Sequence, residues 1–262
     1  MVKRIYKGLT LIMLLFILLA GCSTNEQNVK ASKKVEITVS AAASLQDSLN
    51  EIKGLYEKQH SNIKINYNFG ASGTLAQQIS QGAPVDIFFS AAEDKFDQLV
   101  QKGIIEKADS MNLVGNSLVL VVPTKEKQTI HTLNDLSKAD KISIGTPEAV
   151  PAGMYAKESF EYLQLWEGLE KKVVYAKDVR QVLNYVETGN VDAGIVYKTD
   201  ALTSKKIKIV ATADEKTHTP IIYPIGMVKE SSHPKETKQF YKYLQSDASM
   251  KVLKKYGFKG LN

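Results

Sequence analysis

The chain has 262 residues, 34 of them Lys or Arg against 28 Asp or Glu, for a formal net charge of +6 and a single cysteine. Three of the basic residues lie within the first 22, so cleavage there leaves only +3. Despite a pI near 9.1, the lysine pairs Lys171-Lys172 and Lys254-Lys255 therefore read as solvated helix faces and not as a nucleic-acid surface. With one Cys, no disulfide can form within the chain.

Residues 1–22 combine Lys3, Arg4 and Lys7 with an apolar run from Leu11 to Ala20, too short to span a bilayer comfortably and typical of an export signal. The run ends in Leu19-Ala20-Gly21-Cys22, which resembles the lipobox of bacterial lipoproteins and marks Cys22 as a lipidation site. Stable membrane attachment takes more than one acyl chain. Residues 23–34 are polar and aperiodic, as a flexible tether would be. The remaining body is long enough for one large domain or two smaller ones.

Alternating Val35, Ile37 and Val39 predict a strand, and Ser44 with Leu45, Leu49, Ile52 and Leu55 predicts the helix after it, with Asp47 as an imperfect capping box. The unit repeats as strand Ile63 to Phe69, helix Thr74 to Ser80, strand Val85 to Phe89 and a helix around Phe96, Leu99 and Val100. Successive βα units imply a mostly parallel sheet. A second series begins with the apolar run Ser117 to Pro123. It continues through strand Lys141 to Gly145, a helix opening near Pro151, strand Val173 to Ala176, helix Val179 to Thr188 and strand Val191 to Tyr197. Ile207 to Ala211 and Ile221 to Val228 supply further strands. Pro234 to Tyr256 reads as helix, with Phe240, Tyr243, Leu244 and Leu253 as its apolar stripe.

Four of the βα junctions place small or capping residues where a helix starts: Ala41-Ala-Ala-Ser44, Gly70-Ala-Ser72-Gly-Thr74, Val150-Pro-Ala152-Gly153 and Lys177-Asp178-Val179. Singly, each is an ordinary cap or turn. Together they fall beyond the carboxyl ends of strands, where ligands bind in open α/β sheets. None carries Lys or Arg at its core, although Arg180 follows Val179. Helix-start N–H groups and Ser hydroxyls are neutral donors, and the helix dipoles favour negative charge. A compact, fully ionised oxyanion, which only accepts hydrogen bonds, suits such a cage.

Enzymatic motifs are weaker. Gly70-Ala-Ser72-Gly-Thr74 misses the nucleophile-elbow pattern G-x-S-x-G by one position, and neither a phosphate-binding P-loop nor a dinucleotide fingerprint occurs. His60, His131, His218 and His233 lack metal-ligand spacing and are expected to be exposed polar residues. Asp86 and Asp192, conceivable as paired acids, each precede an apolar strand as a cap or turn partner would.

The segments AAASL, GASGTLAQQISQGAPVDIFFSA, GNSLVLVVP, TPEAVPAGMYAKE, DVRQVL, GIVYKTDA and the terminal YGF resemble, in order, the ModA-type molybdate-binding proteins, solute receptors of ABC importers. The resemblance implies an α/β type II periplasmic-binding-protein fold, two lobes with mostly parallel sheets joined by two crossover segments, with lobe I over 35–115 plus 224–262 and lobe II over 116–223. It implies a molybdate or tungstate site at Ser44, Ser72, Ala152, Val179 and Tyr197, two serine hydroxyls, main-chain N–H groups and a tyrosine hydroxyl. Tyr197 enters by the resemblance alone; by itself it reads as a core tyrosine. Some relatives carry a serine run where this chain has Gly70-Ala71-Ser72-Gly73. The implied protein is a monomer without cofactor, enzyme activity or nucleic-acid partner. It is exported, lipid-anchored at Cys22 on the outer face of the cytoplasmic membrane, and delivers its ligand to an ABC permease. The alternatives are a receptor for sulfate, phosphate or an organic acid on the same fold, or a lipid-anchored serine hydrolase using Ser72. The sensing domain of a transcription regulator shares the fold, but the export signal and the absence of a helix-turn-helix segment argue against it.

Overall fold

The structure, a computed structural model, describes residues 34–125 and 130–261. The expected signal segment, Cys22 and the tether up to residue 33 lie outside the described residues. Among the described residues no helix is long and apolar enough to cross a membrane.

The chain opens with β1 (Val35–Ala42), a 3-10 turn over Ala43–Leu45 and α1 (Gln46–Gln59), then β2 (Ile63–Gly70) and α2 (Ser72–Ser80). Next come β3 (Ile87–Phe89), α3 (Glu93–Gln101) and β4 (Ile105–Gly115). A second series follows: β5 (Leu118–Pro123), β6 (Ile142–Gly145), α4 (Pro151–Tyr162), α5 (Trp166–Leu169), β7 (Val173–Ala176), α6 (Val179–Glu187), β8 (Ala193–Tyr197), α7 (Lys198–Ala201) and β9 (Ile207–Thr212). The chain returns through β10 (Ile222–Val228), α8 (Pro234–Leu244), α9 (Asp247–Lys255) and β11 (Lys259–Gly260).

Among the described residues these strands make two sheets, ordered β11-β4-β10-β3-β1-β2 and β7-β6-β8-β5-β9. Pairing is parallel among β2, β1 and β3 and among β7, β6 and β8, where helices form the crossovers. The strands that enter and leave each sheet, β10, β4, β11, β5 and β9, add antiparallel pairs, so parallel pairing belongs to the βα units and not to the whole sheets. The chain passes from the first sheet to the second between Gly115 and Leu118 and returns between Thr212 and Ile222. This is the two-lobed α/β architecture implied by the resemblance.

Burial follows the apolar pattern. All six residues of β5 are buried, as in an interior strand covered on both faces. On α6, Val179, Val182, Leu183 and Val186 form the inward stripe. On α1 the stripe is Leu49, Ile52 and Tyr56. Leu55, expected inside, is 37% exposed, because the Tyr56 ring takes the inner position between Phe240 and Tyr243. The expected terminal helix is two helices. The chain turns at Gln245, and the Ser246 hydroxyl accepts the Ser249 N–H to start α9. Strand β4 was not foreseen: Glu106 to Ala108 are exposed and no apolar alternation marks it, because it is held by backbone pairing to β10 across two register shifts.

Two features fix the helices that surround the later site. Helix α4 approaches β6 so closely that a Cβ on Gly153 would sit 1.9 Å from the Gly145 carbonyl oxygen. Arg180 of α6 reaches out to two carboxylates, pairing through Nη2 with Asp47 of α1 and through Nε with Asp200 of α7 at 2.7 Å, and its Nη1 donates to Thr203 Oγ1. Burial pushes the Asp200 carboxyl up to about 7, with the Arg180 guanidinium pulling the other way.

Gly153→Ala is expected to cost about 1–3 kcal/mol by forced overpacking, a fall of roughly 2–4 °C in melting temperature per kcal/mol. Gly168→Ala, whose Cβ would meet nothing within 4 Å, should leave the thermal midpoint unchanged. Asp200 has a folded pKa above its unfolded value of about 3.9. Its contribution to stability is therefore complete below about 4 and is lost as pH rises through about 7. Urea midpoints measured from pH 4.5 to 8 should show a flatter pH dependence in Asp200→Asn than in the parent.

Candidate functional site

Each of the four small-residue junctions ends a strand and opens a helix on the same side of its sheet. β1 runs into the 3-10 turn at Ala43, β2 into α2, β6 leads to α4, and β7 to α6. The first N–H groups of such helices have no partner within the helix. Ala152 follows Pro151 in the first turn of α4, while Ser72 and Val179 are the first residues of α2 and α6. Pro151 at the first position of α4 loses nothing, since that N–H would be unpaired in any case.

These starts meet. One cavity with about 210 Å³ of empty space is lined by Ser44, Ser72, Ala152, Val179 and Tyr197 together, with Ala42, Ala43, Gly70, Ala71, Ala91, Val150, Pro151 and Asp178. All five expected site residues, drawn from both sheets, are thus brought to one small space, each no more than 4% exposed. The seam beside it is tight: Gly73 N–H donates to the Ala149 carbonyl at 3.0 Å, and a Cβ on Gly73 would lie 2.8 Å from that oxygen.

The lining carries no cation. Arg180, next to Val179, is turned away to Asp47 and Asp200. The one lining carboxylate, Asp178, caps α6 by accepting the Gln181 N–H at 2.9 Å. What faces the cavity is therefore hydroxyls and helix-start amides, with the positive ends of the helix dipoles behind them. Ser72 Oγ accepts the Ala91 N–H at 2.9 Å. Ser44 Oγ lies 2.9 Å from the Tyr223 hydroxyl. The Tyr197 hydroxyl is buried with no hydrogen-bond partner among the described residues. Burial pushes both phenols well above their ordinary pKa, so each keeps its proton. An unpaired buried hydroxyl on a cavity wall is a donor without an acceptor, costly unless something in the cavity supplies one.

Residues set aside in the sequence behave structurally. Asp86 accepts the Thr38 N–H at 2.8 Å and the Ser231 hydroxyl, and Asp192 accepts the Asp140 and Lys141 N–H groups at 2.7 and 2.9 Å. His218 departs from the expectation of an exposed histidine. It is 9% exposed, its Nδ1 2.8 Å from the Thr219 carbonyl, beneath the Tyr155 ring. Ser44 does not cap α1, because it lies inside the preceding 3-10 turn, and Asp47 pairs with Arg180 instead of closing a capping box. Sequence reasoning missed Tyr223, Asn116 and the Ala91 N–H. The first two had stood out only as places where the chain changes lobe, and a buried polar contact between two such places leaves no local pattern.

With this geometry in hand, similarity to known proteins becomes informative. The chain is 58% identical over 243 residues to YvgL of Bacillus subtilis (strain 168), covering 93% of this chain and 94% of that one, a lipoprotein whose name as an ABC transporter substrate-binding protein is provisional. It is 39% identical over 231 residues to the molybdate-binding protein ModA of Haemophilus influenzae, covering 85% and 89%. A solved substrate binding domain of a provisionally assigned molybdenum ABC transporter from Clostridium difficile matches with a TM-score of 0.68 and 40% identity, over 87% of this chain and all of that one. These relatives are solute-binding proteins and not enzymes. With the family model for bacterial extracellular solute-binding proteins matching residues 37–259, the chain belongs to that family.

Proposed function

We propose that this ABC substrate-binding protein takes up molybdate, and tungstate with it, outside the cytoplasmic membrane and delivers the oxyanion to the permease of its importer. The observation that carries the reading is the unpartnered Tyr197 hydroxyl on a cavity whose other polar lining is Ser44, Ser72 and the helix-start amides of Ala152 and Val179. In this reading those five residues hold the ion. Lobe I (35–115 plus 224–262) brings the two serines, and lobe II (116–223) brings the amides and the phenol. The ion is stripped of water as the lobes close around it, and the closed form is what the permease engages. The lipobox-like Cys22 supplies the anchor, and the receptor works as a monomer.

Selectivity follows from the proton count of the ligand. Hydrogen phosphate carries a proton near neutral pH, which would confront donors on every side, whereas molybdate and tungstate offer only lone pairs. A sulfate receptor is the second reading, since sulfate is also fully ionised. It is separated from the first by the size of the cage. The hydrolase reading has little support: the printed partner of Ser72 Oγ is a backbone N–H and not a base.

Thermal unfolding of the body from residue 34 onward, with molybdate, tungstate, sulfate and phosphate added in turn, tests the assignment. Ligand at a hundred times its dissociation constant adds about 2.7 kcal/mol, and the midpoint should rise for molybdate and tungstate. A rise with sulfate alone would replace the ligand while keeping the receptor. Tyr197→Phe should leave the unliganded midpoint unchanged or slightly raised, since it removes an unsatisfied group. It should weaken molybdate binding by about 1.5–3 kcal/mol, the range for a hydrogen bond to a charged group. Titration calorimetry reads the second effect.

A further inference from the structure

The chain's two passages between the sheets meet at a polar contact that reaches the cavity. Asn116, in the first passage, accepts the Ser117 N–H on Oδ1 at 2.8 Å, which fixes the orientation of its amide. Its Nδ2 consequently faces Thr199 Oγ1 at 2.9 Å and the Tyr223 hydroxyl at 3.1 Å, and donates to both. Tyr223 stands at the start of β10, where the second passage ends. Having accepted from Asn116, its hydroxyl has one proton to give, and Ser44 Oγ lies 2.9 Å away. All of these side chains are buried. Ser44, receiving that proton, can send its own only into the cavity it lines.

We infer that Asn116 and Tyr223 are positioning residues that hold Ser44 as a donor toward the ligand, so that the relay Asn116 to Tyr223 to Ser44 sets the preference for fully ionised over protonated oxyanions. The inference rests on the oxyanion reading given above. Ser72 is biased in the same direction by a different device, the Ala91 N–H that occupies one of its lone pairs. Without the relay, Ser44 is free to turn an acceptor toward the cavity, and an anion bearing a proton then finds a partner.

Two variants test it. Tyr223→Phe removes the relay. Asn116→Asp keeps the acceptor for Ser117 N–H but replaces the donor with a second acceptor, which reverses the chain so that Ser44 donates to Tyr223 and accepts from the ligand. Dissociation constants for molybdate and inorganic phosphate are measured by calorimetric titration and competition, after circular dichroism has shown each variant folded. The ratio of molybdate to phosphate affinity should fall roughly tenfold or more in Tyr223→Phe, the scale of one hydrogen bond to a charged group, and at least as far in Asn116→Asp. Equal losses for both anions in a folded variant, with the ratio unchanged, would reduce the relay to scaffolding and overturn the inference. If Asn116→Asp does not fold, Tyr223→Phe decides alone. If the parent protein takes up neither anion, the oxyanion reading itself falls and the relay with it.

Discussion

An anion leaves water only where hydrogen-bond donors replace its hydration, and a cavity that meets this demand without a cation must gather many of them in a small volume. The arrangement of parallel strands and following helices does this as a matter of topology. Strands of one direction end on one side of each sheet, so the starts of their helices, with free amides and positive dipole ends, lie together. Two such sheets facing one space double the supply. The small residues at the junctions are what let the backbones approach; Gly153 against the Gly145 carbonyl is the tightest instance.

The lack of a cation in the lining is a consequence of how Arg180 is used. A guanidinium beside Val179 would attract any anion, singly or doubly charged, and blunt discrimination. Here it is spent on Asp47 and Asp200, tying α6 to α1 and to α7. The same residue thus stays out of the cavity and helps set where the Val179 amide points. Asp178 behaves likewise: its charge is consumed in capping α6 and orients the helix without repelling what the helix start faces.

Much of this was legible in the sequence. The βα succession and all four junctions follow from apolar periodicity and from Ser, Gly, Pro and Asp at helix starts, because both are local properties of the chain. Ser44, Ser72, Ala152 and Val179 could be picked from those junctions, and they line one cavity. Tyr197 could not, since a tyrosine ending a buried strand looks the same whether its hydroxyl is satisfied or orphaned; only the resemblance singled it out. Strand β4 was hidden because a strand supported by backbone pairing on both sides needs no apolar alternation. The break between α8 and α9 was hidden for the opposite reason: the apolar spacing continues across it, and only the Ser246 cap betrays the turn. Asn116 and Tyr223 lie 107 residues apart and meet through the three-dimensional course of the chain, which no reading of neighbours along it can supply.

The contact between Gly73 and Ala149 bears on release as much as on capture. With no side chain at Gly73, the two main chains meet edge to edge and are held there by a single amide-to-carbonyl bond, a link worth only about 1 kcal/mol net once water competes for it. A clasp that weak would let a vacant receptor gape readily, leaving the cargo itself to provide most of the grip. Unloading would then demand of the transporter little more than prising apart one glycine.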